Sequence, residues 1–169
     1  MRLSGNAAID EAPQFDYSLS ESGYGLSTAA DTVKQKLKEV YEHFAVSVTG
    51  QKREQLLKEL RKMFFDCLKE NWDGYGAKPI TLIAYIEAEK FINLLPSSIP
   101  LPEIVPELTG EIGFEWFKDK ENGLIVSVNG NKDISYVGVF GKYGRVKGTE
   151  LFEGKIPAPI IENMRRLYR

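Results

Sequence analysis

Residues 111–117, EIGFEWF, alternate between large apolar residues and small or charged ones. Side chains two residues apart project to the same side of an extended chain, so Ile112, Phe114 and Trp116 share one face. A period of two residues predicts a half-buried β-strand. We therefore expect the face formed by Ile112, Phe114 and Trp116 to be buried, and the opposite face, which carries the glutamates, to meet water.

The segments that follow this strand continue the same kind of pattern. Residues 124–128, LIVSV, and residues 133–140, DISYVGVF, are typical of strands, and the Asn-Gly pair between them is a strong hairpin signal. Residues 141–154 are interrupted by glycines and predict a short fourth strand near Thr149–Phe152. Consecutive strands joined by tight turns predict an antiparallel meander.

Upstream of the strands, apolar residues recur every three to four positions, which is typical of amphipathic helices. Residues 31–44 and residues 56–68 each carry one such stripe. Between them lies the segment SVTGQ, residues 47–51, in which Gly50 is a helix stop signal. The pattern predicts two antiparallel helices joined by a short turn, that is, a helical hairpin.

Two more helices are predicted, one on each side of the strands. The first covers residues 82–95, with the hydroxyl of Thr81 as its N-cap. The second closes the chain within residues 156–169. The order of elements predicts an α+β fold, in which an N-terminal helical hairpin and a third helix pack on a three- to four-stranded antiparallel meander, with a C-terminal helix.

The distribution of small and polar residues predicts the domain organisation. Residues 1–27 are rich in Ser, Gly, Ala and acids and have no sustained period, which predicts a flexible tail. Residues 28–169 are expected to form a single α+β domain, since neither the part before the proline-rich segment nor the part after it is large enough to fold stably alone. The proline-rich segment 96–110 is expected to be extended and to lie across the surface.

The composition narrows the functional classes. The net charge of −2 provides no strong field toward DNA or an anionic membrane. One cysteine, Cys67, and one histidine, His43, leave no cysteine-based zinc site and no histidine-rich metal site. The N-terminus lacks the apolar core of a secretory signal, and no apolar run approaches the ~18 residues of a membrane-spanning helix. These features predict a cytoplasmic protein.

The stretch NWDGYGAKPI, residues 71–80, lies between two helical patterns and has two interpretations. In the first it is a corner, in which Asp73 and the glycines make the turn and Trp72 anchors the loop to the core. In the second it presents a polar binding site, with an acid at Asp73, a phenol at Tyr75 and an amine at Lys78. The corner is the favoured interpretation, because every residue has a structural role in it.

Glu111 and Glu115 share one face of the predicted strand. Residues four positions apart along a strand are separated by ~13 Å, which exceeds the ~5 to 9.5 Å between paired glycosidase carboxylates. A divalent metal site would need Asp73, or another acid, to fold close to one of them. We therefore favour glutamates that face water or pair with a lysine across the strands.

Residues 141–148, GKYGRVKG, place Lys142, Arg145 and Lys147 among glycines. Basic residues in this arrangement can contact phosphate groups, so nucleic-acid binding is one interpretation. The glycine spacing fits neither a P-loop nor a dinucleotide-binding turn. A solvated loop between strands is the favoured interpretation.

Four segments carry a family resemblance: NWDGYGAKPI at residues 71–80, the proline-rich LPSSIPLPEIVPE at residues 95–107, GEIGFEW at residues 110–116 and FEGKIP at residues 152–157. In this order they resemble a family of small, functionally uncharacterised bacterial proteins, over residues 65–169. The resemblance implies a product of accessory or mobile gene clusters, where toxin–antitoxin, immunity and defence modules gather. The matching motif positions are Asn71, Trp72, Asp73, Gly74, Tyr75, Gly76, Ala77, Gly110, Glu111, Glu115 and Trp116.

We therefore predict a non-enzymatic, cytoplasmic binding or accessory protein without metal or cofactor, whose partner is another protein. An antitoxin-like or immunity role beside a neighbouring gene product is the form that the resemblance implies. The alternative is a small metal-dependent hydrolase or nuclease that uses Asp73, Glu111 and Glu115. The sequence assigns no catalytic residue. The candidate binding residues are Trp72, Asp73, Tyr75, Lys78, Glu111 and Glu115.

Overall fold

The computed structural model describes residues 28–169. The flexible tail predicted for residues 1–27 lies outside this range. The chain divides into two units between residues 38 and 39. Of the first unit, residues 28–38 are described and are helical. The second unit contains the sheet and the core, and the single domain predicted for residues 28–169 stays a prediction.

The described residues form three helices and five strands. The helices are α1 (Thr28–Asp66), α2 (Leu82–Leu94) and α3 (Ala158–Leu167). The strands are β1 (Glu103–Pro106), β2 (Ile112–Asp119), β3 (Asn122–Val128), β4 (Asp133–Phe140) and β5 (Gly144–Leu151). The strands lie side by side in chain order, and every neighbouring pair is antiparallel. The predicted α+β class with an antiparallel meander is confirmed.

The predicted helical hairpin is wrong, because α1 runs without a break from Thr28 to Asp66. Gly50 is exposed within this helix, and an atom added at its Cβ position would meet nothing within 4 Å. A glycine inside a helix costs only about 1 kcal/mol relative to alanine. The residues that follow, QKREQLLKEL, are mostly strong helix formers, so the helix continues through the predicted stop.

The predicted strand count of three to four is also wrong, since the sheet has five strands. The additional strand, β1, comes from the proline-rich segment, which is extended as predicted. It pairs with β2 only and ends at Pro106. Proline has no backbone N–H to donate, and an edge strand tolerates this because one side of it needs no hydrogen-bond partner. The fourth predicted strand is longer than expected: β5 begins at Gly144 rather than near Thr149.

The two faces of the sheet differ in what covers them. Helices α2 and α3 pack on one side, which we call the inner face. The three residues of β2 that were predicted to be buried lie on this inner face, and the prediction is confirmed. Apolar residues of β3 and β4 lie beside them. Together these residues are Ile112, Phe114, Trp116, Leu124, Val126, Val128 and Ile134. We call the opposite side the outer face.

Phe91 of α2 lies at the centre of the core. Its ring centroid is 4.7 Å from that of Phe114, 6.0 Å from that of Phe152 and 6.4 Å from that of Trp116. Aromatic pairs at these separations contribute roughly 0.5–1.5 kcal/mol beyond the apolar area that they bury. The C-terminal part of α1 joins the same core through Leu60 and Phe64.

Arg53 ties α1 to the end of α2. Its guanidinium donates to the carbonyl oxygen of Leu95 at 2.6 Å and to that of Asn93 at 3.4 Å. The last carbonyl groups of a helix carry partial negative charge and lack partners within the helix. Arg53 therefore satisfies groups that the end of α2 would otherwise leave unpaired.

Candidate functional site

The loop of residues 71–78 is closed by Asn71. This residue has a φ of 60°, a left-handed conformation that asparagine tolerates. Its backbone N–H donates to the carbonyl oxygen of Ala77 at 2.8 Å, and its side-chain Oδ1 accepts from the Gly76 N–H at 2.7 Å. Asn71 thus holds both ends of the loop together.

Asp73 organises the interior of the same loop. Its Oδ1 accepts from the backbone N–H of Tyr75 at 2.8 Å and from that of Ala77 at 3.0 Å. These two hydrogen bonds lower the pKa of the Asp73 carboxyl below its usual value, since they favour the charged form. All of its hydrogen-bond partners lie within the loop, so the carboxylate is a structural acceptor, as the corner interpretation requires.

Trp72 fastens the loop to the body of the protein. Its indole Nε1–H donates to the carbonyl oxygen of Lys78 at 2.9 Å, and the half-buried ring packs against the core. The Lys78 backbone N–H donates to the Leu108 carbonyl oxygen at 2.9 Å. The loop is therefore bound both to itself and to the chain that enters the sheet.

The side chain of Tyr75 has no structural role in this loop. It is 93% exposed, and Lys78 beside it is also exposed. The neighbouring backbone is fixed by Asn71 and Asp73, so a phenol ring projects into solvent from a rigid support. The corner interpretation thus accounts for Asn71, Trp72 and Asp73, and the binding interpretation stays a prediction for Tyr75 and Lys78.

Three aliphatic side chains follow directly on the first turns of α2. Thr81 caps this helix as predicted, with its Oγ1 accepting from the Ala84 N–H at 3.1 Å. Leu82, Ile83 and Ile86 are 59%, 61% and 52% exposed. Positions three and four apart are neighbours on a helix surface, so Ile86 adjoins both Ile83 and Leu82. We call these three residues the α2 patch.

The α2 patch was missed by sequence reasoning, although a signal existed. The stretch LIAYIEAEKFINLL has more apolar residues than one helical stripe requires. The structure assigns the buried positions of α2 partly to alanines, Ala84 and Ala88, which lie against the sheet together with Phe91 and Ile92. A helix that buries small residues must expose its larger ones.

Glu111 and Glu115 lie at the β1–β2 margin of the outer face, near Glu107. The Ser127 hydroxyl donates to Glu107 Oε1 at 2.5 Å. Partial burial raises the pKa of the Glu107 carboxyl, and the negative charges of Glu111 and Glu115 add to this effect against the Ser127 hydrogen bond. Glu103 stands directly opposite Glu115 in the β1–β2 ladder. We call Glu103, Glu107, Glu111 and Glu115 the acidic margin.

The structure does not bring Asp73 into this margin as a further ligand. The carboxylate of Asp73 is held by its own loop. Among residues 28–169, no group of three or more His, Cys, Asp or Glu side chains is arranged to hold a metal ion. The geometry around Asp73, Glu111 and Glu115 therefore gives the metal-dependent alternative no support.

The basic residues of GKYGRVKG are divided between a turn and a strand. Lys142 and Tyr143 are exposed in the turn before β5, with the ammonium nitrogen 5.3 Å from the ring centroid. Arg145 and Lys147 are exposed within β5. The prediction of a solvated loop is wrong for these last two, because they lie on the outer face of an edge strand.

A groove of about 580 Å³ lies between α1 and residues 97–101. It is lined by side chains of mixed character, which include Lys52, Glu59 and Ser98, and by none of the predicted site residues. The loop of residues 71–78 holds four of the six predicted binding residues, so we take this loop and the α2 patch that follows it in the chain as the candidate functional site.

Comparison of the chain with protein-family models, with curated proteins and with solved structures finds no match. Within residues 28–169, no helix combines the length and the apolar character that crossing a bilayer requires.

Proposed function

We propose that this chain is a non-enzymatic binding protein that presents Tyr75 and the α2 patch to another protein. One observation carries the proposal: Tyr75 is 93% exposed on a loop whose backbone is fixed by Asn71 and Asp73. The proposal has no need of a catalytic group, and Asp73 serves it as part of the support.

A rigidly supported tyrosine is well suited to binding. Tyrosine is enriched among the residues that dominate interface energies, since it combines a large apolar ring with a hydroxyl group. Association costs less free energy when the contacting groups are already ordered. The hydrogen bonds around Asp73 order the loop before any partner arrives, and Leu82, Ile83 and Ile86 supply apolar area that water currently covers.

The resemblance to accessory-cluster proteins indicates the class of partner. A protein encoded beside this chain, for which it acts as an antitoxin-like or immunity partner in the cytoplasm, is the form of the proposal that we favour. Lys78, exposed next to Tyr75, would then add charge selectivity at the edge of the contact.

Exchange of Tyr75 for alanine tests this function. The chain and the product of the adjacent gene would be co-expressed and purified, and the affinity of the complex measured by titration calorimetry. Because hot-spot residues contribute about 2 kcal/mol or more, we expect Tyr75→Ala to weaken binding by roughly 30-fold.

Tyr143→Ala is the matched control, since Tyr143 is 84% exposed in the β4–β5 turn, whereas Ala84 of α2 lies against Gly130 in the β3–β4 turn at the other end of β4. We expect this variant to bind like the unmodified chain. Equal affinity of Tyr75→Ala and the unmodified chain for the same partner would remove the loop from the interface and refute the proposal.

A further inference from the structure

The outer face of the sheet has an apolar centre that the described chain leaves open. Phe117 of β2 is 61% exposed and Val137 of β4 is 49% exposed, with Ile125 and Val139 half-buried beside them. A hollow of about 100 Å³ lies among these side chains. Since one water molecule occupies ~30 Å³ in the liquid, the hollow has room for an aliphatic side chain.

Charges of opposite sign flank this apolar centre. Within one row of the sheet the register is Glu115 on β2, Ile125 on β3, Val137 on β4 and Lys147 on β5. The acidic margin lies at one end of the row, and Lys147 lies at the other. The adjacent row begins with Phe117 and ends with Arg145.

The acidic margin is electrostatically unfavourable in an isolated chain. Glu103 and Glu115 face each other directly across β1 and β2, and like charges in that position destabilise a sheet. No ion pair among residues 28–169 joins this margin to Lys147 or Arg145. A binding partner that offered positive charge to one margin and negative charge to the other would satisfy both.

We infer that the occupant of the outer face is a second copy of this chain. The two copies are related by a twofold axis that runs parallel to the strands, above the outer face and midway between β3 and β4. This axis places β2 of one copy over β5 of the other, and β3 of one copy over β4 of the other. In the row described above, Glu115 of each copy then meets Lys147 of the other, and Ile125 meets Val137. In the adjacent row, the ring of Phe117 meets the guanidinium of Arg145, a favourable cation–π arrangement.

A twofold axis that is also parallel to the plane of the sheet, but perpendicular to the strands, is disfavoured by repulsion between the two acidic margins. It would place the acidic margin of one copy over that of the other, and apposed like charges cost several kcal/mol in an interface. The parallel axis therefore follows from the order of residues along the register row. It produces two aligned sheets about 10 Å apart, as in a β-sandwich.

The dimensions of the face suit a reversible dimer. Under this axis the strands β2–β5 of the two copies overlap, and at a spacing of ~4.8 Å with up to eight residues a strand they share roughly 19 Å by 25 Å, about 480 Å². This is below the ~800 Å² that each partner contributes to a standard interface and is in the range of weak, transient contacts. The inference goes beyond the proposed function, because the α2 patch belongs to a helix on the inner side of the sheet.

Sedimentation equilibrium of the full chain, from micromolar to near-millimolar concentration, tests the dimer. We expect a monomer–dimer equilibrium. Val137→Glu would bury a charge at the apolar centre and weaken it at least ~30-fold, since an unpaired interfacial charge costs about 2 kcal/mol or more. Glu115→Lys and Lys147→Glu would each weaken it, and the double variant would restore it, since the pair is only exchanged.

Lys62→Glu makes the same charge change as Lys147→Glu, but at an exposed position of α1. We expect it to leave the monomer–dimer equilibrium unchanged. Circular dichroism would check that each variant is folded. A chain that stays monomeric over the whole range overturns the inference, as does a dimer that tolerates Val137→Glu or that the double variant fails to restore. None of these results alters the expected effect of Tyr75→Ala on the other surface.

Discussion

Trp116 and Phe117 are consecutive aromatic residues of β2, yet they lie on opposite faces of the sheet. Trp116 is 2% exposed, packs edge-on against Phe91 and donates its indole N–H to the Pro100 carbonyl oxygen at 2.8 Å. Phe117 is 61% exposed and lies over Gly123. The helices that pack on the inner face, rather than residue type, therefore determine which aromatic residue of β2 joins the core and which remains exposed.

The largest expected difference between the faces is in stability. Trp116→Ala should lower the free energy of unfolding by about 3–5 kcal/mol, because it leaves a cavity in a closed core. Phe117→Ala removes a ring of similar type from the outer face and should cost less than about 1 kcal/mol. Urea unfolding of both variants, followed by circular dichroism, would measure the two values.

Both variants would be measured at a concentration where self-association is negligible, so that only the fold is compared. A loss for Phe117→Ala as large as that for Trp116→Ala would mean that the outer face is already covered within the chain. In that case the distinction between an inner and an outer face would not hold.

The two faces of the sheet also differ in how closely other groups approach their glycines. Gly130 has a φ of 85°, and a Cβ added there would lie 2.8 Å from the backbone nitrogen of Ala84 in α2. Gly123 has no positive φ, and the nearest atom to its added Cβ would be in the exposed ring of Phe117 at 2.5 Å, whereas a backbone atom, the Trp116 carbonyl oxygen, lies at an ordinary contact distance of 3.4 Å. We expect Gly130→Ala to cost about 2 kcal/mol and Gly123→Ala less than about 1 kcal/mol, because a side chain moves aside more easily than backbone.

Thermal unfolding of the two alanine variants would check this prediction. Equal melting temperatures for them would show that α2 can shift away from the β3–β4 turn, and would contradict close packing on the inner side. Gly50→Ala is a useful third variant, since that position is helical and open and alanine should stabilise it slightly.

The sheet could be predicted from the sequence because each of its signals is local. The alternation of Ile112, Phe114 and Trp116 identified the buried face, and the Asn129-Gly130 pair identified a hairpin. The edge strand β1 could not be predicted in the same way. Prolines disfavour strands, and its pairing with β2 depends on a tertiary neighbour that no local window contains.

The prediction of a helical hairpin was wrong for a related reason. Two apolar stripes separated by Gly50 are equally compatible with two helices and with one helix whose stripes meet different surroundings. Local signals weigh the glycine alone, whereas its cost of about 1 kcal/mol is small beside the many helix-forming residues that follow it.

The candidate site was half predictable. The turn-forming roles of Asn71 and Asp73 follow from residue type, and the structure assigns both to the loop. The exposure of Tyr75 and of the α2 patch depends on which side of α2 meets the sheet. Sequence periodicity left that choice open, because α2 is apolar almost all round.

The smallest expected effect concerns charge on the outer face, where Glu107 has a raised pKa. A carboxyl that holds its proton more tightly when folded stabilises the fold below its unfolded pKa of ~4.3, and this contribution is lost as pH rises through the folded value. Glu107→Gln keeps an acceptor for Ser127 but removes the charge. It should therefore raise stability at pH 7, by no more than about 1 kcal/mol because the site is half exposed, and change little at pH 3.5.

Melting temperatures of the two proteins at both pH values would measure this difference, with Glu153→Gln as the control at an exposed glutamate outside the acidic margin. A destabilised Glu107→Gln at pH 7 would mean that the carboxylate, despite its neighbours Glu111 and Glu115, gains more from Ser127 than burial costs it. The acidic margin would then be a stabilising part of the isolated chain. Its repulsion could no longer serve as a reason for a second copy to bring Lys147 to this side of the sheet.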